Sequence, residues 1–298
     1  VNDNIGKVPD NLSELFNGNI FYPYKNTKAY SDLFLPSSFL SYLPAKITGS
    51  YFAGFNFSLI LGQMLTVLVV YCWFLEITKD KYSALLGSTT FGLSQIRMHY
   101  FVHIHTFILQ WFMLATYFIW KFRKTTKVRY LYFAGALVVV QFWESPLPVF
   151  WTFGVAAILL FRGFNELKRL WRHVIVIGFM ILLMTLPLIN VYYGVSKEFN
   201  YQRSIRDAAH FSMGVNDLWG TYLSPGLYLL SAISIAFLVR KRIRIASTRG
   251  GLAELKWVFA VIFLGLLMAL GPVLKIYGST FKIFDKIFIP MPYGIFYY

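Results

Sequence analysis

The sequence has little charge, fewer acids than bases and almost no cysteine. Of its 298 residues only 14% are Asp, Glu, Lys or Arg, where a soluble domain of this size carries about a quarter. The 13 acids face 28 Lys and Arg. The single cysteine, Cys72, lies in an apolar run. It can close no intrachain disulfide and reads as a small core hydrophobe. No HExxH pattern, phosphate-cradling glycine loop, fixed-period repeat or low-complexity segment occurs. These absences exclude the common zinc-protease, nucleotide-binding and solenoid signatures. The apolar runs contain no Asp, Glu, Lys or Arg, which argues against an ion-coupled pump or symporter. No signal peptide is visible, and the start at Val1 and the aromatic end at Tyr298 read as an internal fragment of a longer protein.

What the sequence does have is apolar surface. Hydrophobic residues make up 57% and aromatics 19%, with 30 Phe, 20 Tyr and 8 Trp. Tyr and Trp collect where a bilayer meets water, because an apolar ring with a polar tip suits the headgroup region. Apolar runs fall at 53–75, 82–96, 103–120, 130–143, 146–161, 173–194, 222–239 and 257–274. They predict an all-α fold, a polytopic transmembrane helix bundle of about eight spans, several of them short, with half-immersed outer loops. The chain then divides into an outer, interfacial segment at 1–52, the bundle at 53–274 and an outer segment at 275–298 that leads on into a longer protein. Pro146, in Glu144-Ser145-Pro146, predicts a hairpin rather than one long helix.

Charge orients the spans. The connections 76–81, 121–129, 162–172 and 240–256 hold 17 of the 28 Lys and Arg and 4 of the 13 acids, a net charge of +13. The other connections, more than twice as long, carry +2. The positive-inside bias puts the first set in the cytoplasm and both fragment ends on the extracytoplasmic side of a cell membrane. The overall charge of +15 sits in short loops, not on one face of a polar helix, so a nucleic-acid role is excluded.

Chemistry is expected on the outer side, where the remaining ionisable groups gather. They are Asp3, Asp10, Glu14 and Asp32 in the first loop, then Arg97, His99, His103 and His105, then Glu144. Arg203, Arg206, Asp207, His210 and Asp217 follow in the long loop. Carboxylates can act as a base or bind a divalent cation, and Arg or His can hold phosphate. Together they suit a lipid-phosphate substrate whose tail stays in the bilayer. Each group also reads simply as a solvated loop charge. The histidines read as interfacial side chains as well as a metal set, since no carboxylate or cysteine neighbour completes them. Arg97 and Glu144 each end a short helix, where a charge needs a partner or water.

Several segments, in order, resemble one family. They are Asn19-Ile20-Phe21-Tyr22-Pro23, Ala29-Tyr30-Ser31-Asp32, Phe91 to Arg97 with His99 and His103, and Gln110-Trp111. Arg203-Ser204 with Phe211-Ser212, Leu270 to Lys275, and Pro290-Met291-Pro292-Tyr293 complete the set. The sequence is similar over nearly its whole length to bacterial multispanning membrane proteins related to type C glycosyltransferases. The resemblance implies an active site at the outer leaflet, a polyprenyl-phosphate-linked sugar donor and a divalent metal such as Mg or Mn. It implies Asp32 as catalytic base or metal ligand, with a further acid expected upstream of Val1. On this expectation Arg97, His99, His103 and Arg203 hold the lipid phosphate, and Glu144 positions Arg97 or a sugar hydroxyl. A non-enzymatic transporter or flippase of lipid-linked sugar or another envelope component, and a structural membrane protein, are the alternatives.

Overall fold

A computed structural model of the chain describes residues 15–18, 20–94, 97–98, 101, 103–160, 164–200, 204–219, 260–261, 263–283 and 287–291. The fold is all-α apart from four two-residue strands near the C-terminal end. The chain forms two compact units, 1–201 and 202–298.

In the first unit α1 (Leu35–Thr48) and α2 (Tyr51–Thr78) make an antiparallel hairpin through Gly49, whose φ of 69° suits glycine. The Ser50 side chain caps α2 by accepting from Ala53 N–H. Then come α3 (Lys81–Gly92), the one-turn α4 (Ile104–Phe107), α5 (Gln110–Thr125), α6 (Arg129–Glu144), α7 (Leu147–Leu160) and α8 (Phe164–Glu198). The α6–α7 hairpin falls where Pro146 predicts it.

The packing is inverted relative to a soluble core. The buried face of α2 is Gly54, Ser58, Gly62, Thr66 and Val70, a residue every four positions, the first four of them small or hydroxyl-bearing. A Cβ at Gly54 would overlap the Ser41 carbonyl of α1, and one at Gly62 would come within 2.7 Å of the Ile108 side chain. Small residues let backbones approach where no hydrophobic drive separates interior from surroundings. Large apolar side chains point outward instead: Phe52, Ile60, Met64 and Leu68 on α2, and Val176, Phe179, Leu182 and Leu183 on α8. Cys72 is exposed on α2. Among the described residues two helices, Tyr51–Thr78 and Lys168–Glu198, are long and apolar enough to cross a membrane.

Eight full crossings do not follow from the structure. The expected span 82–96 is a helix of only 12 residues, Lys81–Gly92, about 18 Å long. The expected span 103–120 is broken at Ile108 and Leu109 between α4 and α5. The span 222–239 lies outside the described residues, and 257–274 is described as helical only at 260–261 and 263–269. The small residues Ala84, Ser88 and Gly92 form the buried face of α3, as close helix packing requires.

One end of the first unit collects the basic connections. The Lys121 ammonium meets the Glu76 carboxylate at 2.7 Å, and Tyr117 O–H donates to the same carboxylate at 2.6 Å. The bond from Lys121 to Glu76 holds the ammonium above its usual pKa. Arg123 donates to the Leu159 carbonyl, and Phe122, Leu131 and Leu170 form a core cluster beside it. At the far end Leu15, Phe16 and Leu33 pack on Leu188 of α8. There Tyr192 O–H donates to the Ser31 carbonyl at 3.0 Å, which ties that part of the first loop to α8.

In the second unit α9 (Ile205–Phe211) starts with a capping box between Ser204 and Asp207. Short hairpins β1 (Lys275–Ile276) with β2 (Ser279–Thr280), and β3 (Lys282–Ile283) with β4 (Ile287–Phe288), follow. Gly271 has φ 74°, and a Cβ there would overlap Ser212, so only glycine fits. Lys275 donates to the carbonyls of His210 and Ser212.

Candidate functional site

The site begins with α1. Its first turn reads Leu35-Pro36-Ser37-Ser38, with Pro at an early helical position where its missing N–H is harmless. The N-cap residue, Phe34, cannot cap with its own side chain. Glu144 does so from α6, more than a hundred positions away. Ser37 N–H donates to one carboxylate oxygen at 2.9 Å and Ser37 Oγ donates to the other at 2.5 Å. Phe34 N–H donates to the Glu144 backbone carbonyl at 3.0 Å. Glu144 is 0% exposed. An anion at a helix N-terminus is favoured by the aligned peptide dipoles, and this helix supplies what Glu144 finds in place of a cation.

In front of Ser37 lies an open cleft of about 460 Å³. Hydroxyls in its lining come from Ser37, Ser38 and Ser41 of α1, Tyr51 and Ser58 of α2, and Thr27 and Ser31 of the preceding loop. Ile20, Leu33, Phe55, Leu59 and Ile104 make the lining partly apolar. Asp32 and Lys28 supply the charges. The Asp32 carboxylate sits 3.1 Å from Nδ1 of His105, a residue of α4. Lys28 Nζ donates to the Leu15 carbonyl at 3.2 Å. The cleft thus pairs a carboxylate–imidazole couple with hydroxyls and apolar side chains.

Arg97 stands elsewhere than expected. The sequence places it in an outer turn, but it is 7% exposed and reaches α2 at Gln63. Its Nη2 donates to Gln63 Oε1 at 2.7 Å and to the Phe107 carbonyl. Gln63 Nε2 donates in turn to the Gly92 carbonyl at 2.5 Å. Gln63 lies about 18 Å along α2 from Tyr51 and about 20 Å from Glu76. Arg97 therefore meets α2 halfway along, because α3 is too short to carry it further. The Phe91 ring lies 4.8 Å from the guanidinium, a cation–π contact. Arg97 is not among the residues that line the cleft, and the carboxylate of Glu144 is held by Ser37 rather than by Arg97. Through the Phe107 carbonyl, Arg97 anchors the turn that carries His105.

Gln141 and Thr66 tie neighbouring elements at the same level. Phe112 N–H donates to Gln141 Oε1 at 3.1 Å, and Leu109 N–H to Thr66 Oγ1 at 3.1 Å. Two nitrogens of Arg97 and the side-chain amide of Gln110 are buried without a hydrogen-bond partner among the described residues.

Of the residues read from sequence, Asp32 and Glu144 converge on the cleft, Glu144 through Ser37. His103 is exposed next to His105, with ring centroids 5.9 Å apart. His99 and Arg203 lie outside the described residues. Asp207 and Asp217 serve local turns, Asp207 in its capping box and Asp217 by accepting from Gly214 N–H. The serines were missed. Their signal is present in Pro36-Ser37-Ser38-Phe39-Leu40-Ser41, three hydroxyls on one helical face of an otherwise apolar stretch.

Asp32 and His105 make a two-member set, and among the described residues no three His, Cys, Asp or Glu side chains converge. Mg and Mn take more oxygen ligands than this, so the residues in place do not fit a metal centre and no step below is routed through one. Compared with protein-family models, curated proteins and solved structures, the chain matches none.

Proposed function

We propose that the chain is a membrane-embedded glycosyltransferase that moves a sugar from a polyprenyl-phosphate donor to an acceptor hydroxyl at the outer face of a cell membrane. The Asp32–His105 couple at the hydroxyl-lined cleft is the observation that carries this reading. Two long apolar helices with outward-facing side chains support membrane residence. The gathering of basic connections at the far end of the unit supports the orientation, with those connections in the cytoplasm. The further crossings read from the apolar runs complete the same multispanning arrangement.

In this reading the acceptor hydroxyl enters beside Asp32. Its oxygen bonds to the anomeric carbon of the sugar while the bond from that carbon to the phosphate oxygen breaks. The phosphate leaves with the electron pair, and Asp32 takes the hydroxyl proton. His105 orients the carboxylate, and Arg97 positions His105 through the Phe107 carbonyl. The apolar side chains of the cleft accommodate the polyprenyl chain. A polar group placed to take a proton this way contributes about 10²–10⁴-fold.

The test uses full-length protein in proteoliposomes with a radiolabelled polyprenyl-phosphate sugar. Asp32→Asn is expected to cut transfer at least about tenfold. Wild-type transfer in that variant sinks the assignment. Movement of the labelled lipid across the bilayer with no sugar transfer, in wild-type protein, replaces the enzyme with a flippase.

A further inference from the structure

Ser37 stands between a buried acid and the cleft. It meets both carboxylate oxygens of Glu144, one through its N–H at 2.9 Å and the other through its Oγ at 2.5 Å. Glu144 is fully buried, whereas Ser37 lines the cleft. A serine hydroxyl has one proton. While Glu144 is ionised, that proton points at the carboxylate, and Ser37 offers the cleft only a lone pair. A protonated Glu144 fits the same two contacts. Its O–H donates to Ser37 Oγ, and its C=O still accepts Ser37 N–H. The cap on α1 is kept, and the Ser37 O–H is released toward the cleft.

Charge acts in the same direction. Burial raises the proton affinity of Glu144, and the Asp32 carboxylate raises it further. Asp32 is itself 3.1 Å from His105 of α4 and acts on Tyr192 of α8. The other charges of the elements around Glu144 are remote in sequence from its contacts. α7 has none, and α6 adds only Arg129 at its opposite end. α1 and α5 carry theirs toward their C-terminal ends, and α8 at Phe164–His173 and Lys197–Glu198. An anion entering the cleft would favour the protonated acid again, and Lys28 places an ammonium in the same lining.

We propose that the cleft seats a phosphodiester anion at Ser37 and takes up one proton on Glu144 as it does so. Ser37 then donates to a non-bridging phosphate oxygen, and Lys28 supplies the opposite charge. The proton comes from solvent and ends on the Glu144 oxygen that faces Ser37 Oγ; no bond of the ligand changes. The inference rests on the proposed handling of a polyprenyl-phosphate sugar, itself a phosphodiester, and specifies where its phosphate is held.

Isothermal titration calorimetry of the full chain in nanodiscs with methyl geranyl phosphate, in buffers of different ionisation enthalpy, counts the protons taken up. This diester does not titrate over about pH 5–9, a range that brackets the values buried carboxyls reach. Wild-type protein is expected to take up a proton, with binding strengthening by up to about tenfold for each unit that pH falls. Uptake vanishes below the titration of Glu144 in the free protein and above its titration in the complex. In Glu144→Gln the amide donates to Ser37 Oγ as the protonated acid does, so this uptake is lost and binding at high pH is at least as tight as in wild type. Ser37→Ala should weaken binding about fivefold, the loss of one hydrogen bond. Ser37→Thr keeps the hydroxyl and should keep both binding and uptake, which separates the loss of the O–H from misfolding. Dimethyl phosphate carries the same anion without a tail. Weaker binding than the geranyl diester identifies a lipid-linked ligand, and equal binding a soluble one. No binding of either diester, no uptake by wild-type protein, or undiminished uptake in Glu144→Gln, which would put the proton on His105, overturns the proposal. Diester binding with proton uptake in a protein that transfers no sugar removes the enzyme and keeps this site. Sugar transfer without any proton uptake removes the site and keeps the enzyme.

Discussion

Glu76 and Glu144 sit at opposite ends of the same helix cluster, and they are stabilised in different ways. Glu76 meets an ammonium and a phenol at 2.7 and 2.6 Å and keeps about a third of its side chain in contact with solvent. Glu144 is fully buried and meets a hydroxyl and a backbone N–H from one residue, Ser37. The first acid is neutralised by a neighbour and has no reason to interact further. The second has no cation beside it among the described residues, burial pushes its carboxyl above the usual carboxylate range, and it meets the cleft through Ser37. A glutamate closed on its own cation reports packing and orientation. One whose partner faces a cavity is the one whose replacement tests the proposed role of that cavity.

Variants can break this comparison, and the largest effect is expected where backbones touch. Gly54→Ala drives a Cβ into the Ser41 carbonyl, which cannot swing away as a side chain can. It should destabilise the α1–α2 seam by about 3 kcal/mol and lower the thermal midpoint in detergent. An unchanged midpoint would mean the two helices do not pack as described. Glu144→Leu leaves Ser37 N–H and its hydroxyl without their acceptor and should cost about 2 kcal/mol, read in the same melt. Glu76→Gln tests the opposite end and should cost less than about 1 kcal/mol, because that pair is partly solvated. If Glu76→Gln proves the more damaging of the two, the contrast fails. Gly178→Ala, with open space around its Cβ on α8, should be neutral or stabilise by up to about 1 kcal/mol.

The sequence was most legible where an element depends on its own residues. The α6–α7 turn follows from Glu144-Ser145-Pro146, since proline cannot continue the helix. The long apolar runs at 53–75 and 173–194 are contained within the helices Tyr51–Thr78 and Phe164–Glu198. Asp32 was one of four acids in the first loop and stood out only through the motif around it; its partner, His105, was not legible. Arg97 was misplaced, because hydropathy counts residues and cannot see that α3 stops after 12 of them. The serine pattern in Pro36 to Ser41 was present but ambiguous, because serine in an apolar helix usually bonds the carbonyl one turn back and looks the same whether a cleft lies beyond it or not.

The sequence by itself determined the class of molecule: mostly helical, rich in apolar surface, with basic loops gathered on one set of connections. Those properties depend on composition and periodicity, which are local and additive along the chain. Tertiary structure alone decided that Glu144 caps α1, that Arg97 holds the turn carrying His105, and that serines of α1 and α2 line one cleft. The residues joined there lie up to 107 positions apart. Hydrogen bonds are short and directional, so which groups meet is settled only when the helices have packed.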